Sequence, residues 1–172
     1  MDSAMDPKDL QVKLRERFGT AVGELVDGRL EPFVEVSADA IDDVCRFLRD
    51  EPELDFDNLN NLSGVDYPER KVIELVYNLF SYRLGHTITL KVMALRDDPV
   101  VKTVERVWAA ANWLEREIFD LLGVRFEGHS DLRRILLPDD WIGHPLRKDY
   151  VEQPDYHGIS TVRESMLDIT RN

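Results

Sequence analysis

What this chain lacks narrows it first. A single cysteine stands in 172 residues, so no internal disulfide forms and the four thiolates that an iron–sulfur cluster usually takes are not there. The opening MDSAMDPKDL has neither the basic n-region nor the apolar h-region of a secretory signal. Apolar runs fall far short of the roughly 20 residues that a membrane-spanning helix needs. A soluble chain in a reducing compartment is the expectation. There is no phosphate-cradling glycine loop, no glycine-flanked nucleophilic serine, no thiolate pair, no internal repeat and no low-complexity stretch. Cationic residues are short too: 22 Lys+Arg against 34 Asp+Glu leave a net charge of −12, which argues against a general binder of nucleic acid or anionic membrane. What remains is 43% hydrophobic and 33% charged, the composition of one soluble globular domain able to bury roughly 70% of its unfolded surface.

Taken in order, Asp6-Pro7 reads as a helix start, with Asp6 as the cap and Leu10, Leu14 and Phe18 as a narrow stripe before Gly19. Asp27-Gly28 marks a turn between two apolar runs, Glu24–Val26 and Arg29–Val36, and Pro32 assigns the second run to a sheet edge. Ser37 is the expected cap of a second helix whose Ile41, Val44, Cys45 and Leu48 share a face, which makes Cys45 a small buried hydrophobe and not a reactive thiol. A strand is expected at Leu59–Val65, ended by Pro68. Two stronger strands follow: Val72–Tyr82, apolar on both faces like a central strand, and His86–Leu95, which alternates cleanly, joined by a turn at Arg83–Gly85. His86 at the strand start reads as a hydrogen-bonded structural residue. Asp98-Pro99 repeats the cap-plus-proline signal and opens a helical pattern to Gly123, with Val104, Trp108, Ala111, Leu114, Ile118 and Leu121 on one face.

Everything leads up to, or hangs from, Trp113–Tyr150. On the helix, Glu115, Arg116, Glu117 and Asp120 fall beside the apolar stripe, and periodicity alone makes them a solvated face in which Arg116 and Asp120 pair one turn apart. After Gly123, charged residues (Arg125, Glu127, His129, Asp131, Arg133, Arg134, Asp139, Asp140, His144, Arg147, Lys148, Asp149) alternate with Phe126, Leu132, Ile135, Leu136, Leu137, Trp141 and Leu146. So many apolar residues do not suit a free loop, and so many charges cannot be buried unpaired. An ordered segment pinned by ion pairs, or by a second protein, satisfies both.

Glu115-Arg116-Glu117, Asp120-Leu121-Leu122, His129, Arg133 and Ile135-Leu136, continued by Trp141 and Gly143-His144-Pro145-Leu146-Arg147-Lys148-Asp149-Tyr150, resemble the signature of the thirty-kilodalton subunit of respiratory complex I, known in bacteria as the C subunit of NADH-quinone oxidoreductase. About a dozen residue types match in order over some forty positions, far beyond the information in a short motif. Ser130 departs from the family's usual proline, and Ile142 from a common acidic residue. The resemblance implies membership of the peripheral arm of a proton-translocating NADH:quinone oxidoreductase. The chain would pack beside the forty-nine-kilodalton (D) subunit on the cytoplasmic face of the membrane, or the equivalent organelle face, touching the membrane only through the complex. Flavin and iron–sulfur clusters would belong to partner subunits, with NADH and quinone as substrates of the whole and no cofactor in this chain. The matched residues Glu115, Arg116, Glu117, Asp120, His129, Arg133, Arg134, His144, Pro145, Arg147, Lys148, Asp149 and Tyr150 would organise an interface, with no catalytic, cofactor-binding or metal residue among them.

From the residues alone the expectation is an α+β fold: a mixed, mostly antiparallel sheet with flanking helices, then an extended irregular C-terminal segment. Residues 1–150 form the domain. Residues 151–172 are a tail, broken by Pro154 and Gly158 before a short helix at Thr161–Asp168, that is either disordered or laid along a partner; the resemblance implies that it docks on a partner subunit. His129, His144 and His157 stand about fifteen and thirteen residues apart, a spacing unlike compact metal motifs, and read as separate hydrogen-bonded histidines. Glu115, Glu117 and Asp120 read as ion-pair partners of Arg133, Arg134, Arg147 or Lys148 in preference to an acid/base set. Two rivals stand: the equivalent subunit of a related complex, such as a hydrogenase, a photosynthetic NDH-type complex or a quinone reductase fed by another donor, and a stand-alone enzyme built on the carboxylates and histidines. Nucleic-acid binding through Arg133, Arg134, Arg147 and Lys148 is opposed by the interleaved aspartates.

Overall fold

The computed structural model describes residues 4–27 and 31–162. Helix α1 (Pro7–Phe18) starts where the sequence signals it: the Asp6 carboxylate accepts the Lys8 N–H at 2.8 Å, and Pro7 sits in the first turn, where its missing N–H costs nothing. Strands β1 (Val22–Val26) and β2 (Phe33–Val36) pair antiparallel; the turn between them at Gly28 lies outside the described residues. Helix α2 (Ile41–Asp50) buries Ile41, Val44, Cys45 and Leu48 as expected. Its cap is not Ser37. Ala40 holds that position without a side-chain bond, and the Ser37 carbonyl closes the preceding turn by accepting the Ala40 N–H at 3.1 Å.

Three long strands complete the main sheet: β3 (Asn58–Tyr67), β4 (Val72–Phe80) and β5 (Thr87–Leu95), in the order β1-β2-β5-β4-β3. All neighbours are antiparallel except β2 and β5, so the sheet is mixed and the fold is α+β. Pro32 does not make β2 an edge. It precedes the strand, so β2 keeps both sides free and pairs with β1 on one and β5 on the other. β4 is an interior strand, paired with β5 on one side and β3 on the other, and even its Glu74 is buried, paired with Lys91 at 2.9 Å. His86 is structural, as expected: its Nε2–H donates to the Leu54 carbonyl at 2.5 Å and its ring lies against Phe56.

The helical pattern from Pro99 to Gly123, which the sequence leaves open as one helix or two, is helical only in its last part. Val100–Lys102 is a short strand, β6, parallel to β7 (Arg125–Glu127), and helix α3 covers only Ala111–Leu122. The Pro99 carbonyl accepts the Arg125 N–H at 2.8 Å, a bond to a remote strand where a helix would bond locally. Val104 and Trp108 are buried from turns, so their four-residue spacing reflects a shared core and not a shared helix. One core runs from Leu10 and Leu14 through the α2 face and the inner side chains of the sheet to Ile118 and Leu122 of α3.

α3 packs against β3 at Gly64, where an added Cβ would come within 2.4 Å of Leu122 Cδ1 and 3.5 Å of Ile118 Cγ2. Gly64→Val is therefore expected to lower stability by about 1–3 kcal/mol through overpacking, measured by urea unfolding; an unchanged midpoint would show that α3 is free to move away.

Candidate functional site, a strap tied across helix α3

Helix α3 carries three charged residues inward. Glu115 and Asp120 are 0% exposed and Arg116 is 5% exposed, so the solvated face expected from periodicity is instead partly interior, with Glu117 alone of the four exposed. Arg116 and Asp120 do not pair with each other. Arg116 donates Nε–H to the Arg133 carbonyl at 3.2 Å and Nη2–H to the Arg134 carbonyl at 3.1 Å, its guanidinium resting over the exposed Trp113 ring. Asp120 takes four donors from the segment after β7. Oδ1 accepts from Arg134 Nη1 at 2.7 Å, and Oδ2 accepts the N–H groups of Ile135, Leu136 and Leu137 at 3.1, 2.8 and 2.9 Å. Burial alone would raise this carboxyl; the three backbone donors and Arg134 outweigh it and hold Asp120 below its usual value.

Arg134 extends the knot, donating from Nη2 to the carbonyls of Trp141 and Gly143 at 3.0 and 3.2 Å. The second signature block then closes the C-terminal end of α3, whose last carbonyls have no partner in the helix. His144 Nδ1–H donates to Asp120 O at 2.9 Å, the Leu146 N–H to Leu121 O at 3.0 Å and Arg147 Nε–H to Leu122 O at 2.8 Å. Gly123 permits this: it adopts φ +77, and a Cβ there would stand 2.6 Å from the His144 ring. Tyr150 packs in the same way against Gly143, also at positive φ. Residues 129–150 thus form a strap tied to α3 from inside the chain.

Of the expected ion pairs, Asp120–Arg134 forms and the others do not. Arg133 is exposed and pairs with Asp131 at 2.9 Å; Lys148 is exposed and contributes its backbone N–H; Asp149 reaches Arg96 at 2.5 Å; Pro145 is half-buried. Glu115 meets the Thr103 hydroxyl and accepts the Val104 N–H at 2.7 Å. The three C-terminal histidines have separate partners: His129 donates from Nε2 to Asn112 O, His144 binds as above, and His157 meets Asp140 at 2.8 Å. Two anchors escape a reading of the sequence. Asp66 of β3 is buried and accepts Arg96 at 2.7 and 2.9 Å and the Lys148 N–H at 2.8 Å, and Glu105 accepts both the N–H and the hydroxyl of Ser130 at 2.7 and 3.0 Å. A carboxylate near the end of a strand is the visible signal for Asp66. At Ser130, the N–H that a proline would lack is in use.

The tail begins folded. β8 (Asp155–Tyr156) and β9 (Ile159–Ser160) form a small antiparallel hairpin, with the Tyr156 ring 5.2 Å from Trp141 and its hydroxyl donating to Asp140 at 2.9 Å. The helix expected over Thr161–Asp168 falls, from position 163 on, outside the described residues. Leu136, Ile142, Leu146 and Val151 are exposed along this segment, and beside Leu146 a groove of about 150 Å³ opens between β3 and α3, with Gly64, Glu117 and Leu121 in its walls.

The profile of one family, described as respiratory-chain NADH dehydrogenase, 30 Kd subunit, matches residues 34–156, a span that takes in β3, β4, β5, α3 and the whole strap. The chain belongs to this family. Within the 30 Kd family, the NADH-quinone oxidoreductase C subunit of Chlorobium phaeobacteroides is 48% identical over 148 residues, covering 85% of this chain and 89% of that one. The C subunit of Geobacter sulfurreducens is 42% identical over 147 residues, covering 84% and 90%. Among solved structures, a trypsin-resistant fragment of Nqo5 superposes with a TM-score of 0.57 at 28% identity, covering 72% of this chain and 97% of the fragment. A chain of the membrane-bound sulfane sulfur reductase, an archaeal respiratory membrane complex, superposes with a TM-score of 0.67 at 27% identity, covering 83% and 84%. Among the described residues no helix is long and apolar enough to cross a membrane.

Asp120→Asn is the substitution that isolates the knot. The amide keeps one acceptor but sets an NH2 against donors that faced a carboxylate, and Arg134 loses its counter-charge. The expected cost is about 3–5 kcal/mol, measured by chemical denaturation. Because Asp120 is depressed in the folded chain, its contribution is present above the ordinary value of 3.8 and lost as pH falls through the folded value. The wild type should therefore lose stability on the acid side more steeply than Asp120→Asn; parallel acid limbs would show that the knot does not hold the strap.

Proposed function

We propose that this chain is a structural and assembly subunit, without a cofactor of its own, of the peripheral arm of a proton-translocating NADH:quinone oxidoreductase. In this reading it braces the quinone-reducing module on the cytoplasmic face, flavin and iron–sulfur clusters lie in partner subunits, and the partner surface is the strap. The observation that carries it is the division of labour within residues 129–150. The polar groups of the strap are largely consumed inside the chain by Arg116, Asp120 and the end of α3, while Leu136, Ile142 and Leu146 remain exposed. A surface whose shape is fixed by buried charges and which exposes Leu136, Ile142 and Leu146 among charged side chains suits a permanent protein contact. Arg116, Asp120, Arg134, His144 and Arg147 act from behind that surface as positioning residues for docking on the forty-nine-kilodalton (D) subunit, whereas Glu117, Arg133, Lys148 and Asp149 are exposed, and none of the signature residues is assigned a catalytic role. The tail from residue 151 continues along the same partner.

A second reading has its own support. The likeness to a chain of the sulfane sulfur reductase complex favours a subunit shared among membrane complexes with different donors, in which case the module on the far side would differ and the strap would serve the same purpose.

Tagged wild-type chain is expected to recover cluster- and flavin-bearing subunits from gently solubilised membranes together with quinone reduction by NADH. Arg147→Ala removes a charge-assisted bond to Leu122 O, worth about 1.5–3 kcal/mol, and is expected to lower that recovery about tenfold. Full recovery with selectively lost turnover would overturn the assembly reading; recovery of a different donor module would select the second.

A further inference from the structure

One group of buried ionisable side chains plays no part in the Asp120 knot. Glu115 of α3 lies between the turn at residues 103–105 and the head of the strap, with Oε1 accepting the Val104 N–H at 2.7 Å and Oε2 meeting the Thr103 hydroxyl. Glu105 of that turn is fixed by the Asn112 amide at 2.7 Å and by both donors of Ser130. His129 stands between the two carboxylates, its side chain wholly buried, with Nε2 at 3.6 Å from Glu105 Oε2 and 3.9 Å from Glu115 Oε2. Its Nδ1 accepts the Asp131 N–H at 3.0 Å, so the ring proton stands on Nε2 and is shared with the Asn112 carbonyl. From the other elements packed on Glu115 come Tyr77 of β4 and Cys45 of α2, both wholly buried and both pushed up first by burial and then by the Glu115 charge. Among the described residues, no lysine or arginine is ion-paired with Glu115.

We propose that Glu105, Glu115 and His129 form a proton-operated latch, which joins the 103–105 turn, α3 and the head of the strap while Glu115 is protonated and loosens that join when Glu115 ionises. With both carboxylates charged, two negative groups share one imidazole in a buried space where, among the described residues, Glu115 has no lysine or arginine partner, a cost that protonation of Glu115 removes. The groups divide the roles unequally. Burial would raise Glu105, but Asn112 and Ser130 outweigh it and hold it low, whereas burial dominates at Glu115 and, reinforced by Glu105 against the Thr103 and Val104 bonds, brings it to about 7. A carboxyl raised in the folded chain gives stability that is full below its unfolded value of 4.5 and is lost as pH rises through the folded value. The latch is a property of the chain alone; only its effect on assembly rests on the reading of the strap as a partner surface.

The test follows the side-chain carboxyl carbons of the purified full chain by NMR from about pH 4 to about pH 9, together with urea midpoints over the same interval. One glutamate, identified by its disappearance in Glu115→Gln, is expected to titrate near neutrality, and the urea midpoint of the wild type to fall across that step while Glu115→Gln stays level. Glu105→Gln removes the neighbouring charge and is expected to move the titration to lower pH, which keeps the test decisive if Glu115→Gln does not fold. A Glu115 titration near 4.5, or an unmoved one in Glu105→Gln, overturns the latch. Failure to recover partner subunits with an intact titration would instead count against the docking role of the strap.

Discussion

The carboxylate of Asp120 is the constraint on which the C-terminal third depends. A wholly buried carboxylate is tolerated only when its lone pairs are filled, and here the filling is done by an arginine and three consecutive backbone N–H groups of the strap. Three successive amides aimed at one oxygen define a single backbone shape. The anion is therefore a template: it gives residues 134–137 a conformation that no helix or strand ladder supplies, and Arg134 passes the constraint on to Trp141 and Gly143. The end of α3 does the rest. Its unpaired carbonyls, the negative end of the helix dipole, draw His144 and Arg147, so the helix is capped by the segment it organises.

The second anchor works at the sheet. Arg96, at the end of β5, bridges Asp66 of β3 and Asp149 of the strap, and Asp66 also takes the Lys148 N–H. Arg96 first, with the Lys148 N–H behind it, holds Asp66 below its usual value against the opposing effect of burial. The strap is thus fastened at both ends, to α3 near its beginning and to the β3–β5 side of the sheet at its close.

Much of this architecture is legible where the determinants are local. The Asp6-Pro7 start, the buried face of α2, the β4–β5 hairpin and the fold class follow from caps and periodicity within a few residues. What periodicity misses is non-local. Val104 and Trp108 mimic a helix because turns bring them to the same core as α3, and the strand they follow exists only because β7 pairs with it. Pro32 resembles an edge signal because the strand start one residue later cannot be located from composition. Glu115 and Asp120 resemble surface residues because their partners lie eleven to seventeen positions away, beyond the reach of helical periodicity. Within the signature pattern, Glu115, Arg116, Asp120, Arg134, His144 and Arg147 are held by contacts within the chain, whereas Glu117 and the Lys148 side chain are exposed.

The bond from Asp66 to the Lys148 N–H joins positions 82 apart. A chain made from its N-terminus completes β3, β4, β5 and α3 well before residue 148 is available, so the sheet is able to close while the strap has nothing to fasten it. The strap is consequently the last part of the domain to acquire its shape, and a half-made chain cannot present it. Order of synthesis thereby sets the order of folding: the strap is laid onto a scaffold that is already in place.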